Sequence, residues 1–202
     1  YAGRLKNVQH KYQAGLVSEA DKESENTIRG FLKQRFPDFA FLGEESADQA
    51  QLNIHQSPVP RWVLDPLDGT TNYVHGLPVY AVSLALEYQG ELLVGVVDAP
   101  ALGEVYAARR GGGATMNGRP LQVSQCHQLK DAFLATGFMA DFEDQLQEQL
   151  KIFSTIVRRS RAVRRAGAAA LDLCWVARGA FDGYWERNLK PWDVAAGQLI
   201  VQ

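Results

Sequence analysis

Two carboxylates, Asp65 and Asp68, stand three residues apart inside Arg-Trp-Val-Leu-Asp-Pro-Leu-Asp-Gly-Thr-Thr-Asn-Tyr-Val-His-Gly, residues 61–76. Carboxylate oxygens attract a hard cation such as Mg²⁺. The amides at a helix start attract an anion such as phosphate. A segment with both could hold a metal and a phosphate together. Each part alone also has an ordinary reading, since Asp-Gly is a common turn and Asp or Thr often only caps a helix. Aspartyl-phosphate chemistry of the Asp-x-Asp-x-Thr kind does not fit, because Pro66 and Leu67 both separate the two acids and the register is off by one.

The elements that must position these groups can be read from the same residues. Trp62, Val63 and Leu64 form an apolar run that predicts a buried strand. Pro66 lacks an N–H for the ladder, so the strand is expected to end at Asp65. Asp68-Gly69 turns the chain, and Thr70-Thr71-Asn72 opens a short helix. Upstream, Ser18-Glu19-Ala20-Asp21 reads as a capping box. It starts a helix with Ile28, Phe31 and Leu32 on one side, closed by Pro37. Phe39 to Gly43 is a short strand leading to Glu44 and Glu45, and Ala47 to Pro60 reads as a surface loop. Downstream, Gln89-Gly90 joins two apolar runs as a hairpin, Glu104 to Ala108 adds a strand, and a glycine turn feeds a second hairpin at Asn117-Gly118. Arg109 to Ala114 lacks the Gly-Lys-Ser/Thr ending of a phosphate loop.

Residues 123–128 divide the chain into halves, 1–124 and 125–202. In the second half, Ala132 to Thr136 predicts a strand, and Leu146, Leu150, Phe153 and Val157 form a helical stripe expected in the core. A helix from Ala170 to Arg178 stops at Gly179, a strand from Phe181 to Trp185 ends at Glu186, and Asp193 stands where it would cap a last helix. The basic run Arg158 to Arg165 invites RNA or phosphates, but no aromatic residue interleaves it.

The chain's 202 residues, 46% hydrophobic, suffice for a core, and its net charge of −2 gives no general pull toward nucleic acid or anionic membrane. No run approaches the roughly 20 apolar residues of a membrane span. Cys126 and Cys174 show no paired spacing, and Cys174 sits in an apolar helix as a packed thiol. A reduced, cytoplasmic enzyme is the simplest fit. The apolar pattern at the end, without a helix stop, suggests that the chain is truncated at both ends.

Taken whole, Asp-Pro-Leu-Asp-Gly-Thr-Thr-Asn after a Trp-Val-Leu strand resembles the signature of the inositol monophosphatase family. Gly-Glu-Glu-Ser at 43–46 and Trp-Asp-Val-Ala-Ala-Gly at 192–197 resemble that family's other two motifs, in the same order. The resemblance implies an α/β fold, a layered αβαβα sandwich of the inositol monophosphatase and fructose bisphosphatase type. It implies a phosphomonoesterase that activates water with two or three Mg²⁺ ions, Mn²⁺ being an alternative. Glu44, Asp65, Asp68, Asp193 and the Leu67 carbonyl would be the metal ligands. Glu44, Asp65 and Thr70 would carry the chemistry, Glu44 and Thr70 orienting the water and Asp65 bridging two ions. Asp21 would be an outer ligand through water, or only a cap.

Phosphate would rest on Asp68, Gly69 and Thr70, and substrate hydroxyls on Gly167, Ala169 and Glu186. Where the family usually has Ser or Thr between Gly167 and Ala169, this chain has Ala168, which leaves polyol preference open. The implied substrate is inositol 1-phosphate or a similar small polyol or sugar phosphate. Relatives with the same metal core act on fructose 1,6-bisphosphate, histidinol phosphate or a 3′-phosphoadenosine nucleotide, and some bacterial relatives bind RNA or transcription complexes. A homodimer and lithium sensitivity are further expectations, with no membrane partner.

Overall fold

The computed structural model describes residues 8–10, 16–48, 57–138 and 143–202. Its centre is a seven-stranded sheet in the order β3-β4-β5-β6-β7-β8-β9. These strands are Ala40–Gly43, Arg61–Asp68, Ala81–Tyr88, Glu91–Ala99, Glu104–Arg109, Gly113–Met116 and Arg119–Pro120. Only β3 and β4 run parallel; every later pair is antiparallel. The hairpin turns follow from their residues: Gln89 and Gly90, and then Asn117 and Gly118, all take positive φ. A short ribbon, β1 (Val8–His10) with β2 (Leu16–Ser18), precedes this sheet. A second sheet of three parallel strands has the order β11-β10-β12, from Ala162–Arg164, Phe133–Thr136 and Gly183–Trp185.

The helices are α1 (Glu19–Arg35), α2 (Thr70–Val74), α3 (Glu143–Val157), α4 (Ala169–Ala177) and α5 (Pro191–Val201). Although α4 and α5 come from the second half of the chain, they share one core with the large sheet. Leu171, Cys174, Trp192, Ala196 and Leu199 pack with Val63, Ala85, Val97 and Tyr106. Gly95 permits this closeness: a Cβ there would lie 2.8 Å from the Ala196 carbonyl oxygen. Cys174 is fully buried, as its apolar helix predicts.

Four local expectations are corrected. First, β4 does not end at Asp65. It continues to Asp68 through a register shift, because Asp65 pairs with Ser83 and Asp68 with Ala81. Pro66 is accommodated in this bulge, where no ladder bond is asked of it. Second, the 146–157 stripe is not a core stripe: Leu150 and Val157 are exposed and Gln149 is buried instead. Third, β12 covers only Gly183–Trp185. Asp182 accepts the Phe133 N–H at 2.6 Å through its side chain rather than extending the strand. Fourth, Phe31 faces solvent while Leu32 is buried. Most of the loop expected between Ala47 and Pro60 lies outside the described residues.

Candidate active site

The bulge in β4 builds the corner of the site. Asp65, 2% exposed, accepts the Leu67 N–H at 2.9 Å through Oδ1, which folds the chain around Pro66. Gly69 in the left-handed region (φ 89°) then turns the backbone into α2; a Cβ there would press on the Val79 carbonyl at 2.8 Å. Asn72 fastens α2 across the molecule, its amide donating to the Val79 and Ala166 carbonyls at 2.7 and 2.9 Å.

Helix α1 braces the corner with Asp21 and, one turn on, Ser24 and Glu25. Asp21, 1% exposed, accepts the Ser18 N–H and hydroxyl through Oδ2 as the capping box requires. Its Oδ1 accepts the Thr70 hydroxyl at 2.7 Å. Ser24 donates its hydroxyl to the Pro66 carbonyl at 3.0 Å. Buried Glu25 accepts the Glu45 N–H at 2.8 Å and so holds the turn that carries Glu44. The Glu44 N–H itself donates to the Leu64 carbonyl at 3.1 Å, placing this turn beside β4 just before its bulge. The Thr70 hydroxyl also lies 3.1 Å from the Leu67 carbonyl. It has one proton to give, and the shorter, charged acceptor is Asp21.

Asp68 reaches into the second half. Its Oδ1 and Oδ2 accept the N–H groups of Ala169 and Ala170, at 3.1 and 2.7 Å. Ala169, which the family resemblance gives to a substrate hydroxyl, has its amide bonded here to Asp68. Asp193 lies in the first turn of α5 and accepts the Lys190 N–H at 2.6 Å.

The acids act strongly on one another. Burial, then the charges of Glu44, Asp68 and Asp193, raise Asp65 well above the usual carboxylate range. Burial and Asp193 raise Asp68 to about 8 against the pull of the Ala170 and Ala169 amides. Asp193 is raised to about 7 by burial, with Glu44 and Glu186 adding and the Lys190 N–H opposing. Among the described residues, no three of His, Cys, Asp or Glu form a tight cluster able to hold an ion. The acids feel one another's charge without converging on one point.

The donor set nevertheless fits a hard divalent cation. It is all oxygen, three of its members are raised by burial and like charge, and Lys190 partly relieves Asp193. The apolar cavity of about 390 Å³ between α1 and β5, lined in part by Ile28, Tyr73, Tyr80 and Val82, contains none of these acids.

On the facing wall, Glu186 is raised by burial and accepts the Tyr184 hydroxyl at 2.5 Å. Glu186 packs against Gly137, where a Cβ would overlap its carboxylate. Gly167 takes φ 83° beside Asn72 and Arg165. The structure thus brings together Glu44, Asp65, Leu67, Asp68, Gly69, Thr70, Ala169, Asp193 and, through its effect on Asp193, Glu186. Asp21 is the cap that the sequence indicates and also the acceptor of the Thr70 hydroxyl. Tyr184 and the buried Asp172 are not singled out by any motif, although a lone acid inside Ala-Ala-Leu-Asp-Leu-Cys is a visible anomaly.

Comparison with known proteins decides the family. The model of the inositol monophosphatase family matches residues 1–202. The chain belongs to the inositol monophosphatase family. An inositol-1-monophosphatase of Rhizobium meliloti is 42% identical over 99% of this chain and 74% of its own length. The Nus factor SuhB of Pseudomonas aeruginosa is 43% identical over 97% of this chain and 72% of its own. Among solved structures, the extragenic suppressor protein suhB of Bartonella henselae superposes with a TM-score of 0.88 at 41% identity, covering 96% of this chain and 73% of that one. An IMPase/NADP phosphatase complexed with NADP and Ca²⁺ gives 0.81 at 29% identity, covering 96% and 71%. The chain therefore has the α/β fold of this family and its class of activity, metal-dependent phosphomonoester hydrolysis.

Proposed function

We propose that the chain hydrolyses inositol 1-phosphate or a similar small polyol or sugar phosphate with Mg²⁺, two or three ions being held by Glu44, Asp65, Asp68, Asp193 and the Leu67 carbonyl. The observation that carries this reading is the mutual electrostatic strain of the buried acids beside the Thr70–Asp21 pair. When bound, the cations supply an acidified water and neutralise the departing alkoxide.

The chain's own residues do the rest. Thr70, its proton directed to Asp21, and Glu44 orient the attacking water and take up its proton. The amides of Gly69 and Thr70 receive phosphate oxygens at the start of α2, and Gly167 and Glu186 orient the alcohol. The phosphorus–oxygen bond to that alcohol breaks while the bond from water forms, so no side-chain nucleophile is needed. In this reading residues 1–124 carry most of the metal and phosphate groups, and 125–202 the substrate contacts and the last ligand. We place the protein in the cytoplasm as a homodimer; Cys126 and Cys174 are both free thiols, and no helix among the described residues is long and apolar enough to cross a membrane.

A panel of inositol 1-phosphate, fructose 1,6-bisphosphate, histidinol phosphate and a 3′-phosphoadenosine nucleotide at saturating Mg²⁺ tests the substrate. The highest kcat/KM is expected for inositol 1-phosphate, and a tenfold preference for another ester would replace it. A second reading, RNA or transcription-complex binding, draws on the SuhB relatives and on exposed Arg158 and Arg159. Arg161 is instead paired with Asp131, and Arg164 lies over the Phe133 ring. Salt-sensitive RNA binding that survives Asp65→Asn would support it, and no binding at low salt would end it.

A further inference from the structure

The end of α1 remote from Asp21 holds a second cavity, of about 300 Å³, lined by none of the residues assigned above to metal, phosphate or alcohol. Lys33, one of its lining residues, stands about 18 Å along the helix axis from Asp21. Arg29 and Lys33 lie one turn apart on α1, with Phe36 at the C-cap most of a turn further on. Pro37 stops the helix, and the chain returns with Phe39 and Phe41 before Trp62 joins them from β4. Phe36 stacks on Phe39 with ring centroids 5.1 Å apart and tilts against Trp62 at 5.4 Å. The Arg29 guanidinium lies over the Phe41 ring, 5.2 Å from its centroid. These rings form a wall and not a core: Phe36 is 37% exposed, and Phe39, Phe41 and Trp62 are only half-buried.

No acid lines this cavity, and among the described residues neither Arg29 nor Lys33 makes an ion pair. Lys33 also suits the negative end of the helix dipole, but Arg29 stands outside the last turn and has no such use. The wall is therefore aromatic and its rim cationic. A neutral aromatic molecule would cover the rings and leave the cations unpaired, and a cationic one would be repelled. A carboxylate on an aromatic body satisfies both, since its ring covers the wall while its oxygens accept from the ammonium and guanidinium. The volume is at the small end for ligand pockets and admits one ring system. We infer that this cavity is a binding site for a small aromatic carboxylate, separate from the phosphate corner and at the other end of α1.

The test is calorimetric titration of the full chain, in EDTA, with 1-naphthoate, 1-naphthalenemethanol and 1-naphthylmethylammonium. The carboxylate is expected to bind saturably and about tenfold more tightly than the alcohol, with the ammonium weakest of the three. When Arg29→Gln and Lys33→Gln are combined, both at exposed positions, the preference for acid over alcohol should fall to about twofold or less. Phe36→Ala removes wall but no charge, so it should weaken acid and alcohol alike by about fivefold. Adding Mg²⁺ with inorganic phosphate should leave the affinity for 1-naphthoate unchanged. No saturable binding of the carboxylate, equal affinity for the three probes, or a preference unchanged in the double variant would overturn the inference. Displacement of 1-naphthoate by Mg²⁺ with phosphate would overturn it too, by moving the bound acid to the phosphate corner. Because binding is read without turnover, the result stands apart from the phosphomonoesterase reading.

Discussion

The Thr70 hydroxyl donates to Asp21 Oδ1 at 2.7 Å across 49 residues of chain, while the other oxygen of the same carboxylate closes the cap of α1. One side chain thus ties the start of the first long helix to the residue proposed to orient the water. Asp21→Asn should lower kcat about 100-fold with little change in KM, the range expected when a proton acceptor is lost. Ser18→Ala should instead cost about 1 kcal/mol of stability through the cap and leave most of the turnover. Steady-state kinetics beside thermal melts separate the two; equal losses of kcat would reduce Asp21 to a cap.

The raised acids make stability depend on pH in a definite direction. An acid whose folded value lies above its unfolded value binds more protons in the folded state between the two. Unfolding free energy then falls as pH rises through that window. For Asp68, at about 8, and Asp193, at about 7, the window runs from the ordinary value near 4 upward. In EDTA the melting temperature should fall from pH 5 to pH 8, and the rise produced by Mg²⁺ should grow over the same interval. Asp68→Asn should flatten the fall. A melting temperature independent of pH in EDTA would show that these carboxylates do not repel one another as described.

Gly137 gives a way to disturb the leaving-group wall without touching the metal corner. An added Cβ would occupy the space of the Glu186 carboxylate, whose flexible end can move aside. Gly137→Ala should therefore raise KM for the ester several-fold while leaving the Mg²⁺ concentration for half-maximal activity unchanged. Titrations of ester and of Mg²⁺ check both halves, and an altered Mg²⁺ requirement would show that Glu186 belongs to the cation site.

Much of this arrangement was legible in the residues. The capping box at Ser18 and Asp21, the Gln89-Gly90 and Asn117-Gly118 turns, and Asp193 in a helix's first turn are local, and local chemistry sets them. What escaped depends on distant partners. Pro66 argues for a strand end until the bulge opposite Ser83 and Ala81 absorbs it. Asp68 reads as a turn residue, yet its acceptors' work is done on amides 101 and 102 residues later. The periodicity of Leu150 and Val157 defines a face but not what covers it, and here both are exposed while Leu146 and Phe153 are half-buried. Asp172 stands out as a lone acid in an apolar helix, but only the fold leaves its carboxylate buried without a partner among the described residues.

The central claim is that Asp65, Asp68, Glu44 and Asp193 jointly hold the cations of a phosphomonoesterase. Its most direct measurement is phosphate release from inositol 1-phosphate as a function of Mg²⁺, for the native chain and for Asp193→Asn. The account predicts activity abolished by EDTA, restored by Mg²⁺, and lower by about 100-fold or more in the variant, since one cation-held charge is worth several kcal/mol. Turnover that persists in EDTA, or that is near normal in Asp193→Asn at limiting Mg²⁺, would contradict it.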